Sequence, residues 1–266
     1  MNDCIGSIVY LSHGGGPMPL LNEKSHRKMI DFMKQLAQKI KKPDAIIVFS
    51  AHWEEKIPTV IGSSNPGLYY DYYGFPEKTY NLSYQIPGNL NLVEELVNIF
   101  KLHDVAINID STRGFDHGVF IPLMLMYPEG NIPTIQISLI KGLDPKKHLE
   151  LGNVIKDLKK KNVLVIGSGF SFHNMNAFSW SDDDQIDEKN DTFQEYLIQY
   201  CTEEKYLNKR DETLIAWDKI PFARYCHPRE EHLLPLHVCL GMTDKPGKLI
   251  FDDYILGKRS IALLWE

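Results

Sequence analysis

Three short apolar runs, each followed by a histidine, limit the possible folds of this chain more than any other feature. Runs of four β-branched or large apolar residues are typical of strands that are buried on both faces. If the three strands lie parallel, their histidines emerge at one carboxyl edge of the sheet, which is where open α/β sheets place their sites. The runs and their histidines are 8–11 with His13, 46–49 with His52, and 163–166 with His173.

Segments with helical periodicity lie between these runs. In residues 22–42 apolar side chains recur at three- and four-residue spacing, which predicts an amphipathic helix. Asn91 and Glu94 resemble a capping box at the start of a second helix, and residues 144–161 predict a third. The alternation of strands and helices predicts an α/β fold with a mostly parallel central sheet and helices on both faces. Residues 248–265 predict a closing β-hairpin.

Composition narrows the class of protein further. The 266 residues are expected to form one domain, residues 1–266. Acidic residues outnumber basic ones by 35 to 29, without a basic block, so neither nucleic acid nor an anionic membrane is expected as a partner. No leader-like start and no apolar stretch of about 18 residues is visible, which predicts a cytoplasmic protein. The four cysteines are scattered without a C-x-x-C pair, so four reduced thiols are expected.

Three segments are predicted to be loops. Residues 14–19, with three glycines and two prolines, would let the backbone approach a ligand closely. The tyrosine-rich residues 62–88 predict a packed lid, a wall of an aromatic pocket, or a surface flap held by its own rings. The acidic residues 181–191 do not have the spacing of a calcium loop and are predicted to form a solvated turn.

Five of the ten histidines are flanked by glycine, serine or apolar residues, where a lone imidazole would be a poorly satisfied polar group. A hydrogen-bonded structural role is the simpler interpretation for any one of them, but three at matching strand ends favour a shared metal ion. Imidazoles without thiolates suit Zn, Fe, Mn or Ni. The five are His13, His52, His117, His173 and His232.

Of the remaining five histidines, His227 is expected to cap or hydrogen-bond locally, and the other four are not expected to contribute to such a site. His26, His103 and His148 lie among charged residues and are predicted to be at the surface. His237 would lie about 140° around an ideal helix from His232, so the two should not share an ion, and a packed or solvated position is expected.

Five short motifs follow one another along most of the chain. They are Ser12-His13-Gly14, Ser50-Ala51-His52-Trp53, Asp116-His117-Gly118 with Pro122-Leu123, Gly167-Ser168-Gly169 with His173-Asn174, and Glu231-His232-Leu233-Leu234-Pro235-Leu236. Together they resemble the class III extradiol ring-cleavage dioxygenases, and most of all the DOPA 4,5-dioxygenase-like subgroup. The resemblance implies an α/β fold and a catechol-cleaving activity that uses O2. Five motifs in the same order are specific evidence for this resemblance, whereas any one of them alone would be weak evidence.

The resemblance also implies roles for single residues. His13, His52 and His232 match metal ligands, and His173 matches a histidine beside the metal that is either a further ligand or an acid/base group. His117 matches a histidine that contacts substrate or oxygen. One divalent metal per chain is implied, with Fe(II) expected for turnover and zinc possible as the bound ion. The expected substrate is DOPA or a related catechol.

The sequence departs from the resembling family in two places and leaves two other classes of function open. Gly-Gly-Gly-Pro-Met follows His13 where Gly-Ser-Pro-Met is more usual, and Val119-Phe120 replaces a small residue and tryptophan. Both positions would line the pocket. A zinc hydrolase could use the same ligands with Glu231 activating water. Serine-hydrolase chemistry is not expected, because G-x-S-x-G is absent. A non-catalytic relative that binds a metal or a peptide is the third possibility.

Overall fold

A mixed β-sheet forms the centre of the molecule. The computed structural model describes residues 6–21, 23–180, 184 and 186–266. Within these residues the sheet has eight strands in the order β4-β3-β5-β2-β6-β1-β8-β7. The strands are β1 (Ile8–Ser12), β2 (Ala45–Glu55), β3 (Thr59–Ile61), β4 (Asn108–Asp110), β5 (Thr134–Ile140), β6 (Val163–Gly169), β7 (Lys248–Ile255) and β8 (Lys258–Trp265).

The four central strands β5, β2, β6 and β1 run parallel to one another. Strand β3 is antiparallel to β5, and the C-terminal hairpin β7–β8 joins β1 in antiparallel fashion. This confirms the predicted mostly parallel sheet and the closing hairpin. The three strands that lead to histidines are neighbours in the order β2-β6-β1, so their carboxyl ends lie side by side.

Helices cover both faces of this sheet. They are α1 (Arg27–Lys39), α2 (Leu90–Leu102), α3 (His117–Met126), α4 (Pro145–Val154), α5 (Glu188–Thr202), α6 (Leu207–Ile215), α7 (Ala223–Cys226) and α8 (Leu234–Gly241). Neighbouring residues of a strand point to opposite faces. On β6, a Cβ at Gly167 would meet the backbone of Pro235 in α8, whereas the Ser168 side chain bonds to the backbone of Gly118 in α3.

Helix boundaries differ from the sequence predictions. The predicted cap Asn91 lies inside the first turn of α2, and Asn89 is the cap, since its side chain accepts a hydrogen bond from Leu92 N at 3.0 Å. The predicted helix 22–42 is shorter, because a 3₁₀ turn at Lys24–His26 precedes α1. The predicted helix 144–161 ends at Val154 and continues as a 3₁₀ helix.

Two histidines predicted at the surface are buried, which corrects that prediction. His26 Nε2 accepts a hydrogen bond from Gly15 N at 3.0 Å, and His148 Nε2 accepts one from Ile140 N at 3.0 Å. Their charged sequence neighbours occupy the outer side of each helix, whereas each imidazole satisfies a loop or strand amide on the inner side. His103 is exposed, as predicted, and His237 is packed between the carbonyl oxygens of Leu233 and Leu214.

The remaining sequence predictions concern cysteines, the acidic segment and membrane spans. Cys201, Cys226 and Cys239 are buried free thiols, whereas Cys4 lies outside the described residues. The predicted turn at 181–191 lies partly outside them too, and within it Asp187 caps α5. Among the described residues, no helix combines the length and apolar character needed to cross a bilayer.

Candidate active site

Three histidines meet at the carboxyl edge of the sheet, and two of them, His13 and His52, are ones that the strand pattern places there. His13 directly follows β1, and His52 lies in β2 within a stretch where the pairing with β5 shifts register. His232 was predicted inside a helix but lies in the turn that precedes α8. One ring nitrogen from each of the three histidines lies within 4.8 Å of the others.

Hydrogen bonds fix the tautomer of His13. The carbonyl oxygen of Gly118 can only accept, so the Ser168 hydroxyl donates to it. The Ser168 oxygen therefore accepts the hydrogen bond from His13 Nδ1–H, at 3.0 Å. This leaves the His13 Nε2 lone pair free to bind a cation.

Carboxylates favour the same tautomer, with the proton on Nδ1, for the imidazoles of His52 and His232. His232 Nδ1 donates to Glu231 Oε1 at 2.9 Å, and His52 Nδ1 faces Asp71 Oδ2 at 3.5 Å. Both carboxylates favour the proton on Nδ1 and so leave Nε2 as the free nitrogen. Imidazoles that bind metals usually direct their other nitrogen at such an acceptor.

The nitrogen atoms of His13 and His52 lie at a distance that suits a single ion. His13 Nε2 and His52 Nε2 are 3.0 Å apart. Two nitrogens that each lie about 2.1 Å from one ion are separated by about 3.0 to 3.4 Å at ligand angles between about 90° and 110°. Without a cation, two converging lone pairs in a buried site would repel each other. The donor set therefore fits a divalent metal of the imidazole-binding kind.

Electrostatics keeps these imidazoles neutral. Burial, followed by the neighbouring histidines, lowers the pKa of His13 and of His52 well below the usual value. Burial also lowers the pKa of His232 to about 3, although Glu231 opposes that shift. Burial raises the pKa of Glu231, but hydrogen bonds from His173 and His232 outweigh it and hold that pKa far below its usual range. Neutral imidazoles beside ionised carboxylates form a site ready for a cation.

His117 lies beside these three rings at the first turn of α3. Asp71 Oδ1 accepts hydrogen bonds from His117 Nδ1–H at 2.7 Å and from the His117 backbone N–H at 3.0 Å. The His117 ring centre is 3.9 Å from that of His52 and 5.2 Å from that of His13. Asp71 therefore orients two of the five histidines at once.

His173 lies on the other side, in the loop after β6. Its backbone N–H donates to Cys226 O at 2.9 Å, and its ring stacks on His232 with centres 3.4 Å apart and planes 15° apart. His173 Nδ1 is 3.4 Å from Glu231 Oε1. The planes of the two rings are therefore nearly parallel, and both Nδ1 atoms face Glu231 Oε1.

A cavity of about 340 Å³ opens over the five histidines. The loop after His13 lines it, and Gly14 and Gly16 adopt left-handed φ angles of 86° and 53° there. A side chain at Gly14 would collide with Pro19 and His26. The backbone of this glycine loop therefore forms part of the cavity wall.

The tyrosine-rich segment forms a wall of the same cavity and packs against its own rings. Tyr72, Tyr73 and Phe75 line the cavity. Within the segment, the Tyr72 ring packs edge-on against that of Phe75 with centres 5.6 Å apart, and its centre lies 5.3 Å from that of Tyr80. Both interpretations of this segment, pocket wall and self-packed flap, therefore describe part of it.

A buried polar network, which the sequence prediction did not include, supports β2 and α3 from below. Ser50 donates to Asp116 Oδ1 at 2.6 Å and accepts from His52 N at 3.2 Å. Gln136 also bonds to Asp116, which is completely buried, and burial together with the charge on Asp71 raises the pKa of Asp116. This network fixes the backbone of His52.

Comparisons with known proteins agree with this geometry. Residues 6–260 match the family model described as the catalytic LigB subunit of aromatic ring-opening dioxygenase. The chain belongs to this family. A 4,5-DOPA dioxygenase extradiol from Beta vulgaris is 35% identical over 255 residues, covering 92% of this chain and 90% of that protein. The dioxygenase tasH from Hapsidospora irregularis is 34% identical over 277 residues, covering 98% and 86%.

The fold of this LigB-family chain also resembles a solved structure. The crystal structure of the uncharacterized protein JW3007 from Escherichia coli K12 superposes with a TM-score of 0.79 at 24% identity, covering 98% of this chain and 100% of that one. At that identity the likeness supports the fold alone. The family and the fold that the sequence motifs indicated are thereby confirmed.

Proposed function

We propose that this protein is a metal-dependent extradiol dioxygenase that opens the ring of a catechol with O2, in one catalytic domain. The observation that carries the proposal is the convergence of three proton-free imidazole nitrogens, from His13, His52 and His232, at the base of an aromatic-walled cavity. Membership of the ring-opening dioxygenase family supports the same reaction.

His13, His52 and His232 would hold one divalent ion. When bound, Fe(II) supplies open positions for the catechol oxygens and O2 and a route for electrons from the ring to oxygen, whereas zinc, which could also bind these imidazoles, supplies no redox route. Ser168, Asp71 and Glu231 would keep the ligand rings in the Nδ1–H form.

We infer that His173 moves protons and is not a fourth ligand. The rings of the three proposed ligands are inclined to one another by 50° to 82°, whereas the His173 ring stacks on that of His232 with planes only 15° apart. With Nδ1–H directed at Glu231 Oε1, the His173 Nε2 atom is free to accept a proton from a catechol hydroxyl. The Glu231 carboxylate stabilises the resulting imidazolium.

His117 would act on the opposite side of the reacting ring. Asp71 holds the proton on His117 Nδ1, which leaves Nε2 to contact the substrate or oxygen. In the overall reaction both atoms of O2 enter the product, and the bond between a hydroxyl-bearing carbon and its unhydroxylated neighbour breaks. Catechol electrons reduce the oxygen, so no external reductant is needed.

Oxygen uptake tests the proposal. Protein loaded with Fe(II) under argon is mixed with a panel of catechols, including DOPA, and then with air. We expect oxygen consumption and a yellow ring-opened product that contains both atoms of ¹⁸O2. Hydrolysis of an ester or amide panel with no oxygen uptake would indicate the hydrolase instead, and inactivity in both panels would favour a non-catalytic relative.

A further inference from the structure

The outer half of the cavity differs chemically from its histidine base. Beyond the imidazoles, the walls are built from large apolar and aromatic side chains on several separate segments. They include Phe75, Phe170, Met175, Phe178, Trp180 and Leu256. A substituent that extends outward from a ring held at the base would therefore meet hydrocarbon and aromatic surface.

Three of these wall residues are left in water at the mouth. Tyr73 is 91% exposed, Trp180 is 59% exposed and Met175 is 56% exposed, although all three line the cavity. When a ligand covers large apolar side chains around an opening, apolar surface is removed from water and the free energy falls. The mouth thus favours a ligand that carries apolar surface at its outer end.

Positive charge is missing from the part of this wall that the structure describes. The lining side chains that can carry charge are the five histidines and Asp71, and Asp71 already faces His52 and His117.

Two basic residues reach the site, and both already have acidic partners. Arg113 lies 3.5 Å from Asp116 Oδ2 and 3.4 Å from His52 O. Arg229 bonds to Glu54 Oε1 at 2.6 Å and lies 3.4 Å from Glu231 Oε2.

A carboxylate on the substrate would lose hydration in the cavity without gaining a partner. An ammonium group would meet the same apolar walls, and among the described lining residues the one carboxylate, Asp71, already accepts hydrogen bonds from His117.

We propose that the catechol substrate carries an uncharged, apolar substituent, and that Tyr73, Met175 and Trp180 select it. This rests on the proposed function, because the catechol ring must lie at the histidine base. The substituent would extend past Phe178 toward the mouth. The class of substrate is thus an alkyl- or aryl-substituted catechol without a charged side chain.

A series of three catechols with chains of similar length tests this inference. The compounds are 4-propylcatechol, 3-(3,4-dihydroxyphenyl)propionate and dopamine, with neutral, negative and positive chains. We expect kcat/KM from oxygen uptake, and affinity from calorimetry on Fe(II)-loaded protein under argon, to be at least about tenfold higher for 4-propylcatechol. Equal or tighter binding of either charged compound would overturn the inference.

The two readouts separate this inference from the proposed function. If none of the three compounds consumes oxygen, the proposed function fails, and the order of affinities still decides whether the cavity selects an apolar chain. If all three are cleaved with equal kcat/KM, the proposed function stands and the inference is overturned.

A charge placed at the mouth gives a second test. Met175→Lys should raise the affinity and kcat/KM for the propionate, relative to 4-propylcatechol, by about tenfold, since the lysine supplies the missing counter-charge. Leu102→Lys is the matched control, because Leu102 is 85% exposed at the end of α2 and does not line the cavity. An unchanged ratio in Met175→Lys, or an equal change in Leu102→Lys, would contradict the inference.

Discussion

At the scale of single residues, the hydrogen bonds around each imidazole distinguish ligands from proton carriers. His13→Ala removes a nitrogen that points at the proposed ion, so we expect metal affinity to fall by about a hundredfold or more. His173→Ala should leave the metal content near that of the wild type and lower kcat by about 10² to 10⁴, the usual contribution of a positioned acid or base. Elemental analysis after dialysis, together with oxygen uptake, measures both.

His103→Ala is the control for this pair, because His103 is exposed at the end of α2. It should change neither metal content nor kcat. If His173→Ala loses metal as completely as His13→Ala does, His173 is a ligand, and the acid/base role proposed for it is wrong.

The same residues show which parts of the candidate site could be predicted from the sequence, and why. His13 and His52 could be predicted because an apolar strand fixes where its last residues emerge. Asp71 could not, since it lies in an irregular loop 46 residues before His117, and no periodicity fixes the direction of a loop side chain. Ser168, in the Gly-Ser-Gly sequence at the end of β6, could have been predicted as a buried polar residue at a strand end.

At the scale of elements, the tyrosine-rich segment contributes one carboxylate, Asp71, to the hydrogen bonds of the site. Asp71→Asn keeps an acceptor oxygen for His117 but removes the charge that favours Nδ1–H on His117 and His52. We expect a loss of about 10- to 100-fold in kcat/KM, which is typical when an acceptor behind a metal-site imidazole is changed. Far-UV circular dichroism should be unchanged. Asp218→Asn, on an exposed carboxylate, is the control, and equal kinetics in the two variants would refute the role of Asp71.

Elements were predicted well where burial on both faces or a clear helical period marks them, and poorly where they are short. Strand β3 has only three residues and pairs with β5 through a single antiparallel position, so its pattern is too brief to recognise. The start of α2 was misplaced by two residues because Asn89 and Asn91 are equally good caps by composition. Only the packing of the helix selects one of them.

At the scale of the whole molecule, buried neutral histidines outside the site should make stability depend on pH. Burial lowers the pKa of His148 to about 4. The neutral ring donates from Nδ1 to Asp144 O and accepts at Nε2 from Ile140 N, so a second proton on Nε2 would face an N–H group. In the unfolded chain the His148 ring takes up a proton near pH 6.5, whereas in the folded protein it takes up that proton only near pH 4.

The contribution of His148 to stability is therefore fully present above about pH 6.5 and is lost progressively as the pH falls toward about 4. Urea unfolding at pH 7 and at pH 4.5 should show a decrease to which His148 contributes about 2 kcal/mol. His148→Gln should be less stable than the wild type at pH 7, because one ring bridges α4 and β5, but should lose about 2 kcal/mol less between the two pH values. The site histidines titrate in both proteins, so their effect cancels when the two losses of unfolding free energy are subtracted. An equal pH-dependent loss in both would show that His148 is not the group that resists protonation.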